Sequence, residues 1–324
     1  ISSLEKLSAK LPQLIITNSS NGSGASLSMR GIGSNFSSVG IEQSVAVIVD
    51  GAYYGHGRVL EEGFFDLARV EMLKGPQALF YGKNATAGVI SITSADPGSE
   101  AEYKARVGYE FNAEEVYGEV VASGPVSDTL GIRLALRASK MYGGYTRNLG
   151  SDAPYGVLDA ATFTPALLVG PVSKGEQPGG NQLIGRLTIA WKPTDKLSNT
   201  LKLSATRSRG GSPVANSFVG CAGDTFQANP AIQCGRKFTT YQNDPPAEFY
   251  GGTGTLRRGL YNLYDSWSVN DVLTYDMGNV ALTSVTNYNS NKARFNADYA
   301  QEGLGGIWVP IESRFHAFSN ALSR

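Results

Sequence analysis

Strict two-residue alternation, sustained through much of the chain beyond Pro97, constrains the fold more than any other feature of the sequence. In AEYKARVGYEF, Tyr103, Ala105, Val107, Tyr109 and Phe111 fall on one face. Glu102, Lys104, Arg106 and Glu110 fall on the other. LGIRLALRASK sets Leu130, Ile132, Leu134 and Leu136 against Arg133, Arg137 and Ser139. LIGRLTIAWK sets Leu183, Leu187, Ile189 and Trp191 against Arg186, Thr188 and Lys192. LKLSATR and WSVNDVLTYD follow less cleanly, and NVALTSVTNYNS is the weakest. Successive side chains of a strand point to opposite faces, so this period predicts strands with one apolar and one polar face. Seven strands are expected, with an eighth starting near Phe315 in RFHAFSNALSR.

The connections carry as much information as the strands. After the first hairpin they alternate short and long: GPVSDT, then Tyr142 to Gln182, then KPTDK, then Ser208 to Ser266, then DMGN, then Asn291 to about Ser313. A membrane barrel has short turns on one rim and long loops on the other. A soluble antiparallel sheet with core aromatics shares the alternation but gives no reason to gather the long loops at one end. Tyr109, Phe111, Trp191, Trp267 and Tyr275 near strand ends fit the aromatic girdles of a membrane interface. No hydrophobic run approaches the roughly 20 residues of a membrane helix. That excludes helical spanning and leaves a barrel open. Charged residues make up only 17% of the chain, below the usual quarter of a soluble domain. The formal net charge of zero gives no basic face for a nucleic acid.

Before Asp96-Pro97-Gly98 the character differs. SLEKLSAKL, with Leu4, Leu7 and Leu11, has helical spacing. VAVIVDG predicts a buried strand ending in an Asp50-Gly51 turn, and FFDLARVEMLKGP a short helix running into a strand. GVISIT is another strand, giving a compact mixed α/β unit of about 95 residues.

Chemical motifs are few. LKGPQALFYGKNATAG has the outline of a phosphate loop, but Gly75 and Gly82 are separated by six intervening residues rather than four, and Asn84 stands where Ser or Thr would hold Mg²⁺. The insertion PQALFY is apolar; Ala78, Leu79 and Phe80 are expected to pack a short helical turn between two strands, with Lys83 and Asn84 in the following turn. RGIGSNF lacks the third glycine of a dinucleotide fingerprint. The two histidines, His56 and His316, have no neighbour at metal-ligand spacing, and no nucleophile elbow is present. No enzyme, resident cofactor or metal is expected. Cys221 and Cys234 flank a loop whose closure by a disulfide would contribute about 3 kcal/mol in the chain-entropy model and imply an oxidising compartment. Two unpaired thiols are the other reading.

In order along the chain, SLEKLSAKLP, SLSMRGIGSN, VAVIVDGAYYG and FDLARVEMLKGPQALFYGKNATAGVISIT resemble the plug of TonB-dependent outer-membrane receptors. The last is the most specific, a strand, Gly-Pro, a turn of helix, Tyr-Gly-Lys-Asn and Gly-Val-Ile-Ser-Ile over about thirty residues. SGPVSDTLGIRLAL, WKPTDKLS and LTSVTNYNS are similar to the start of that family's barrel. The resemblance implies a plug at 1–97 and the N-terminal part of an antiparallel transmembrane barrel, with long extracellular loops, at 98–324. About 22 strands are expected in the whole barrel. An eight-stranded barrel has room only for its own side chains, so the chain is expected to be a fragment, with the TonB box before Ile1 and further strands after Arg324.

The resemblance further implies uptake of a scarce nutrient across the outer membrane of a Gram-negative bacterium, a ferric siderophore before haem, cobalamin or a saccharide. The implied partners are TonB with its inner-membrane energising complex, the small ligand and outer-membrane lipid. A surface binding or adhesion protein without transport is the alternative. The apical plug loops correspond here to Ser34, Asn35 and Phe36, then Tyr53, Tyr54, His56 and Arg58, which suit an anionic, aromatic chelate or simply pack against the barrel. Arg30, Glu71 and Lys74 match positions that tie the plug to the wall, basic plug residues meeting barrel carboxylates; Lys74 stands where the family often has Arg and lacks its bidentate geometry. Gly31, Gly51, Gly75, Gly82 and Gly88 are expected at turns or close approaches.

Overall fold

The computed structural model describes residues 13–18, 24–34, 42–55, 57, 65–148, 152–158, 164–173, 176–177, 179–211, 238–240, 242–250, 257–298 and 308–323. The N-terminal part begins with a small antiparallel sheet of β1 (Leu14–Asn18), β2 (Ala25–Met29) and β3 (Ile32–Gly33). Beside it lie β4 (Val45–Val49), β5 (Ala52–Tyr54), β6 (Leu67–Lys74), the single helical turn α1 (Ala78–Tyr81) and β7 (Gly88–Ser94). The second sheet has the order β5-β4-β7-β6. β4 and β7 run parallel at its centre, covered on both faces, which is why VAVIV is apolar without alternation. Leu27, Met29, Val45, Val47, Ile90 and Ile92 join the two sheets in one core.

The Asp50-Gly51 turn between β4 and β5 forms as expected. Both residues have positive φ, 49° and 84°, the backbone of a two-residue type I′ hairpin. Two local expectations fail. FFDLARVEMLKGP is not helical in its described part, because Leu67 already pairs with Ser94 and the whole run to Lys74 is strand. The turn of helix α1 is present, but Ala78 and Leu79 face solvent, Leu79 at 89% exposure, while Tyr81 packs inward; the Phe80 side chain lies outside what is described. The expected helix over SLEKLSAKL lies outside the described residues.

Beyond Pro97 the chain forms β8 (Glu102–Glu110), β9 (Glu115–Ser127) and β10 (Leu130–Met141). Short strands β11 (Thr146–Asn148), β12 (Ala153–Leu158), β13 (Pro165–Gly170) and β14 (Glu176–Gln177) occupy the next connection. Then come β15 (Gly180–Thr194), β16 (Leu197–Gly210), the short β17 (Phe238–Thr240), β18 (Tyr261–Asp276), β19 (Ala281–Asp298) and β20 (Trp308–Ser323). The eight long strands make one antiparallel meander, β8-β9-β10-β15-β16-β18-β19-β20. Several run further than their alternation predicts. β19 continues to Asp298, so the last connection shrinks to residues 299–307. Residues 128–129, 195–196 and 277–280 turn at one rim, and the long connections leave the other.

This sheet is inside out relative to a soluble one. The apolar face is exposed, and one registered row crosses all eight strands: Tyr103, Ala122, Leu134, Leu187, Leu203, Val269, Tyr288, Phe318. The polar face is the buried one, carrying Arg133, Arg137, Arg186, Thr188, Lys202, Thr206, Ser268, Asn270 and Asn287. Tyr109, Phe111, Trp191, Trp267 and Tyr275 all lie exposed on the outer face. Polar groups that interrupt that face pair with one another: Asn199 Nδ2 donates to Asp271 at 2.7 Å, and Asn320 Nδ2 to Thr286 Oγ1 at 2.7 Å. β8 and β20 end the sheet with unpaired outer edges, and an open cleft of about 1630 Å³ separates β6 from the β8 edge.

Candidate functional site

Two places bring chemistry together: the seam between the N-terminal unit and the sheet, and the end of that unit nearer the long loops. At the seam, Lys202 of β16 inserts its ammonium among Asp50 Oδ1 (2.9 Å), Asp96 Oδ1 (2.9 Å) and Ser94 Oγ (2.8 Å). Asp50 is fixed from its own side by the N–H and hydroxyl of Ser94, at 2.9 and 2.7 Å. Asn270 Nδ2 donates to the Asp50 carbonyl at 3.0 Å. A second knot forms where Arg133 of β10 grips Asp66 with two parallel bonds, 2.8 and 2.5 Å, and reaches Glu102 at 2.6 Å. Arg186 donates to the Phe65 and Asp66 carbonyls at 3.4 Å and lies over the Phe65 ring at 5.2 Å. Bidentate, charge-assisted pairs of this kind are the strong ones.

The described seam is thus held by pairs other than those expected at Arg30, Glu71 and Lys74. Among the described residues, carboxylates of the N-terminal unit meet cations of the sheet. Arg30 and Lys74 are exposed, and Glu71 pairs with Arg69 of its own strand at 3.2 Å. Sequence reading missed Asp50, Asp66, Arg133 and Lys202. Their signal was present in Arg and Lys on the polar side of alternating strands, which only a strand wrapped around another unit can bury.

The direction of the N-terminal unit follows from its contacts with β19. A Cβ at Gly51 would lie 3.4 Å from Val285, and two residues further along β19 Asn287 Nδ2 donates to the Tyr54 hydroxyl at 3.5 Å. β5 thus climbs toward the rim with the long loops. β4 and β7 are parallel, so the residues before them, Glu42, Ser44, Lys83 and Asn84, meet at that same end. Lys83 Nζ bonds Glu42 at 2.7 Å and stands 5.7 Å from the centre of the Tyr53 ring. Asn84 Nδ2 donates to the Tyr53 hydroxyl at 2.8 Å and to the other Glu42 oxygen. Ser34 Oγ is 2.8 Å from Ser44 Oγ and accepts the Ser44 N–H at 2.8 Å. Burial raises the Tyr53 pKa above the ordinary tyrosine value, with the Glu42 charge adding to it and the Asn84 bond opposing it. The bond to Glu42 raises the Lys83 pKa.

Of the expected ligand-contacting residues, Ser34 and Tyr53 are thus joined through Glu42 and Asn84. Tyr54 turns to the wall. Asn35, Phe36, His56 and Arg58, and the cysteines Cys221 and Cys234, lie outside the described residues. No cluster of three or more His, Cys, Asp or Glu able to hold a metal occurs among the described residues. The end cluster offers an exposed cation, an aromatic face and fixed amide and hydroxyl groups, a surface for holding a polar or anionic molecule rather than for bond making.

Residues 1–89 match the family model of the TonB-dependent receptor plug domain. The chain is 30% identical to the pesticin receptor of Yersinia pestis over 132 residues, 40% of this chain and 19% of that protein. It is 35% identical to the hemin receptor of Yersinia enterocolitica over 104 residues, 29% of this chain and 14% of that one. The matched stretches thus span less than a fifth of these relatives' length, and the relatives are receptors, not enzymes. In fold, 99% of the chain overlays 43% of the FrpB iron transporter of Neisseria meningitidis, with a TM-score of 0.61 at 13% identity. It also overlays 59% of the ferric yersiniabactin uptake receptor of Yersinia pestis, with a TM-score of 0.53 at 16% identity and 99% of this chain covered. Residues 1–89 thus match the plug domain of TonB-dependent receptors, and the antiparallel strands beyond them, with their polar face inward against that unit, share the fold of these receptor structures.

Proposed function

We propose that residues 1–97 are the plug, and 98–324 the N-terminal part of the barrel, of an outer-membrane receptor that takes up a scarce nutrient by a TonB-driven mechanism. One observation carries the reading: an eight-stranded sheet with its apolar face outward and its polar face closed on a folded unit. Such a face matches hydrocarbon, while the buried polar face matches a lumen filled by protein. Eight strands cannot enclose a plug of this size, and open edges are not tolerated in a bilayer. The whole barrel therefore needs about 22 strands, the further ones pairing at β8 and β20 and closing the cleft beside β6. Arg30, Glu71 and Lys74 are assigned to that remaining wall.

A ferric siderophore is the ligand favoured here. Ser34, Tyr53 and Lys83 supply the described part of its seat, Asn35, Phe36, His56 and Arg58 are assigned to the same seat, and Tyr54 joins plug to wall. Cys221 and Cys234 are assigned to a disulfide in the longest external loop. Haem is the second reading, supported by the likeness to a hemin receptor. TonB, energised from the inner membrane, acts on the plug from the short-turn side and loosens the seam, and the receptor makes and breaks no covalent bond. Growth of a deletion strain on a panel of iron chelates and other nutrients tests the ligand. Loss of growth on one ferric chelate, restored by the gene and not by a Lys83→Glu variant, is the expected result. Full-length protein that stays soluble without detergent would overturn the membrane reading itself.

A further inference from the structure

On β10 and β15 the outward residues between the girdles are apolar, but on the strands that follow a polar patch interrupts the band itself. One registered row runs Ile132, Ile189, Leu201, Asp271, Thr286, Asn320. The next row toward the short turns holds Asn199, Leu273, Ser284 and Leu322. Asn199, Asp271, Ser284, Thr286 and Asn320 therefore lie together on the face turned away from the plug. The depth of the patch follows from β18. Asp271 stands four residues from Trp267 and four from Tyr275, both exposed girdle aromatics. That is about 13 Å along the strand from each, midway across the apolar band. The patch satisfies itself only in part. Asn199 Nδ2 donates to Asp271 Oδ1 at 2.7 Å. Asn320 Nδ2 donates to Thr286 Oγ1 at 2.7 Å and to Ser284 Oγ at 3.3 Å. Asp271 Oδ2, Asn320 Oδ1 and the second amide hydrogen of Asn199 have no partner among the described residues.

A carboxyl and open amide groups at mid-depth are costly against hydrocarbon, and an ionisable residue placed there marks a contact with a partner. We propose that this patch is where two copies of the receptor meet side by side in the membrane. The open groups complement one another: acceptors remain on Asp271 and Asn320, donors on Asn199 and on the hydroxyls of Thr286 and Ser284. A twofold contact presents the same patch to itself, so an acceptor of one copy faces a donor of the other. Rotation about the membrane normal keeps every group at its own depth, so the two patches meet level. Leu201, Leu273 and Leu322 lie beside the polar groups in the same two rows and give the contact its apolar packing. The contact uses the outward face alone and leaves the seam with the plug untouched. This inference rests on the membrane reading above.

Full-length protein, purified from outer membranes, is studied by sedimentation equilibrium in a density-matched detergent over a range of protein-to-detergent ratios. A monomer–dimer equilibrium is expected. The dimer should dissociate about tenfold or more readily in an Asp271→Leu/Asn320→Leu double variant. Leu134→Met, on the apolar part of the same face, should leave the equilibrium unchanged. Heat-modifiable migration shows that each variant is folded, and the native protein alone tests the proposal if the double variant does not fold. A native protein that is monomeric at every ratio would overturn the proposal. So would a dimer undiminished in the folded double variant, or a native complex whose mass fits one copy with a different protein. Protein that inserts into membranes yet gives any of these results overturns this inference alone, whereas protein that needs no detergent overturns the membrane reading beneath it.

Discussion

Lys202 shows how much one residue decides here. Its ammonium is almost wholly buried, and among the described residues the carboxylates of Asp50 and Asp96 neutralise it. Removing one partner of a buried pair costs about 3–5 kcal/mol, because the other charge stays buried and alone. Lys202→Met in the full-length protein should lower the unfolding free energy of the plug by that order, read as a lower denaturant midpoint, and adding Asp50→Asn should recover much of the loss. Equal midpoints for native and Lys202→Met protein would show that the pair does not hold the seam. Tyr53 gives a test at the loop-side cluster. Burial disfavours its charged form, so its hydroxyl should ionise above the ordinary value of 10.0. A group protonated more strongly in the fold than out of it lowers stability only as pH rises past its unfolded value. The cluster is thus intact at neutral pH, and it loosens above about pH 10. Subtracting the alkaline absorbance titration of Tyr53→Phe from that of the native protein isolates this hydroxyl, and a midpoint at or below 10 would contradict the geometry.

At the level of elements, the turn and glycine chemistry was legible in advance. Asp50-Gly51 made the expected turn, and Gly31, Gly51, Gly75, Gly82 and Gly88 all have positive φ. Gly88 shows the reason most directly. Its φ is 155°, and a Cβ would fall 2.4 Å from Met29 Sδ and 2.6 Å from the Leu73 carbonyl. Gly88→Ala should destabilise the plug by about 2–6 kcal/mol, overpacking and backbone strain each adding about 1–3. A thermal melt within 1 °C of the native protein would refute the crowding. Other elements were not legible. The run before Lys74 looked helical at its start, yet pairing with β7 makes it strand, since ladder bonds to a buried neighbour outweigh a weak local preference. α1 sits on the surface although Leu79 suggested burial, because the strands on either side already fill the core. β19 outran its weak alternation because hydrogen bonding to β18 and β20 continues where side-chain pattern fades.

At the scale of the whole molecule, the inverted sheet makes a prediction that a soluble fold would not. Leu187 lies in the row that crosses all eight strands on the outer face. Leu187→Arg should cost about 2–4 kcal/mol in a bilayer and reduce the heat-modifiable, membrane-inserted fraction, while Leu187→Met should be near neutral. Full insertion of the arginine variant would mean that this face does not meet lipid.

The period of two, the alternation of short and long connections and the Gly-Pro to Gly-Val-Ile run were enough, on sequence alone, to indicate the strand-rich architecture and the plug domain at the start of the chain. They could do so because alternation, turn length and tight glycine turns are local properties, written in residues a few positions apart. Tertiary structure alone decided which charges meet across the seam. Asp50 and Lys202, or Asp66 and Arg133, are far apart in the chain and become partners only when the sheet curls its polar face onto the plug. The same closure turned Tyr54 to the wall and gathered Glu42, Lys83 and Asn84 around Tyr53, because long-range packing, not local pattern, chooses the neighbour of each buried charge.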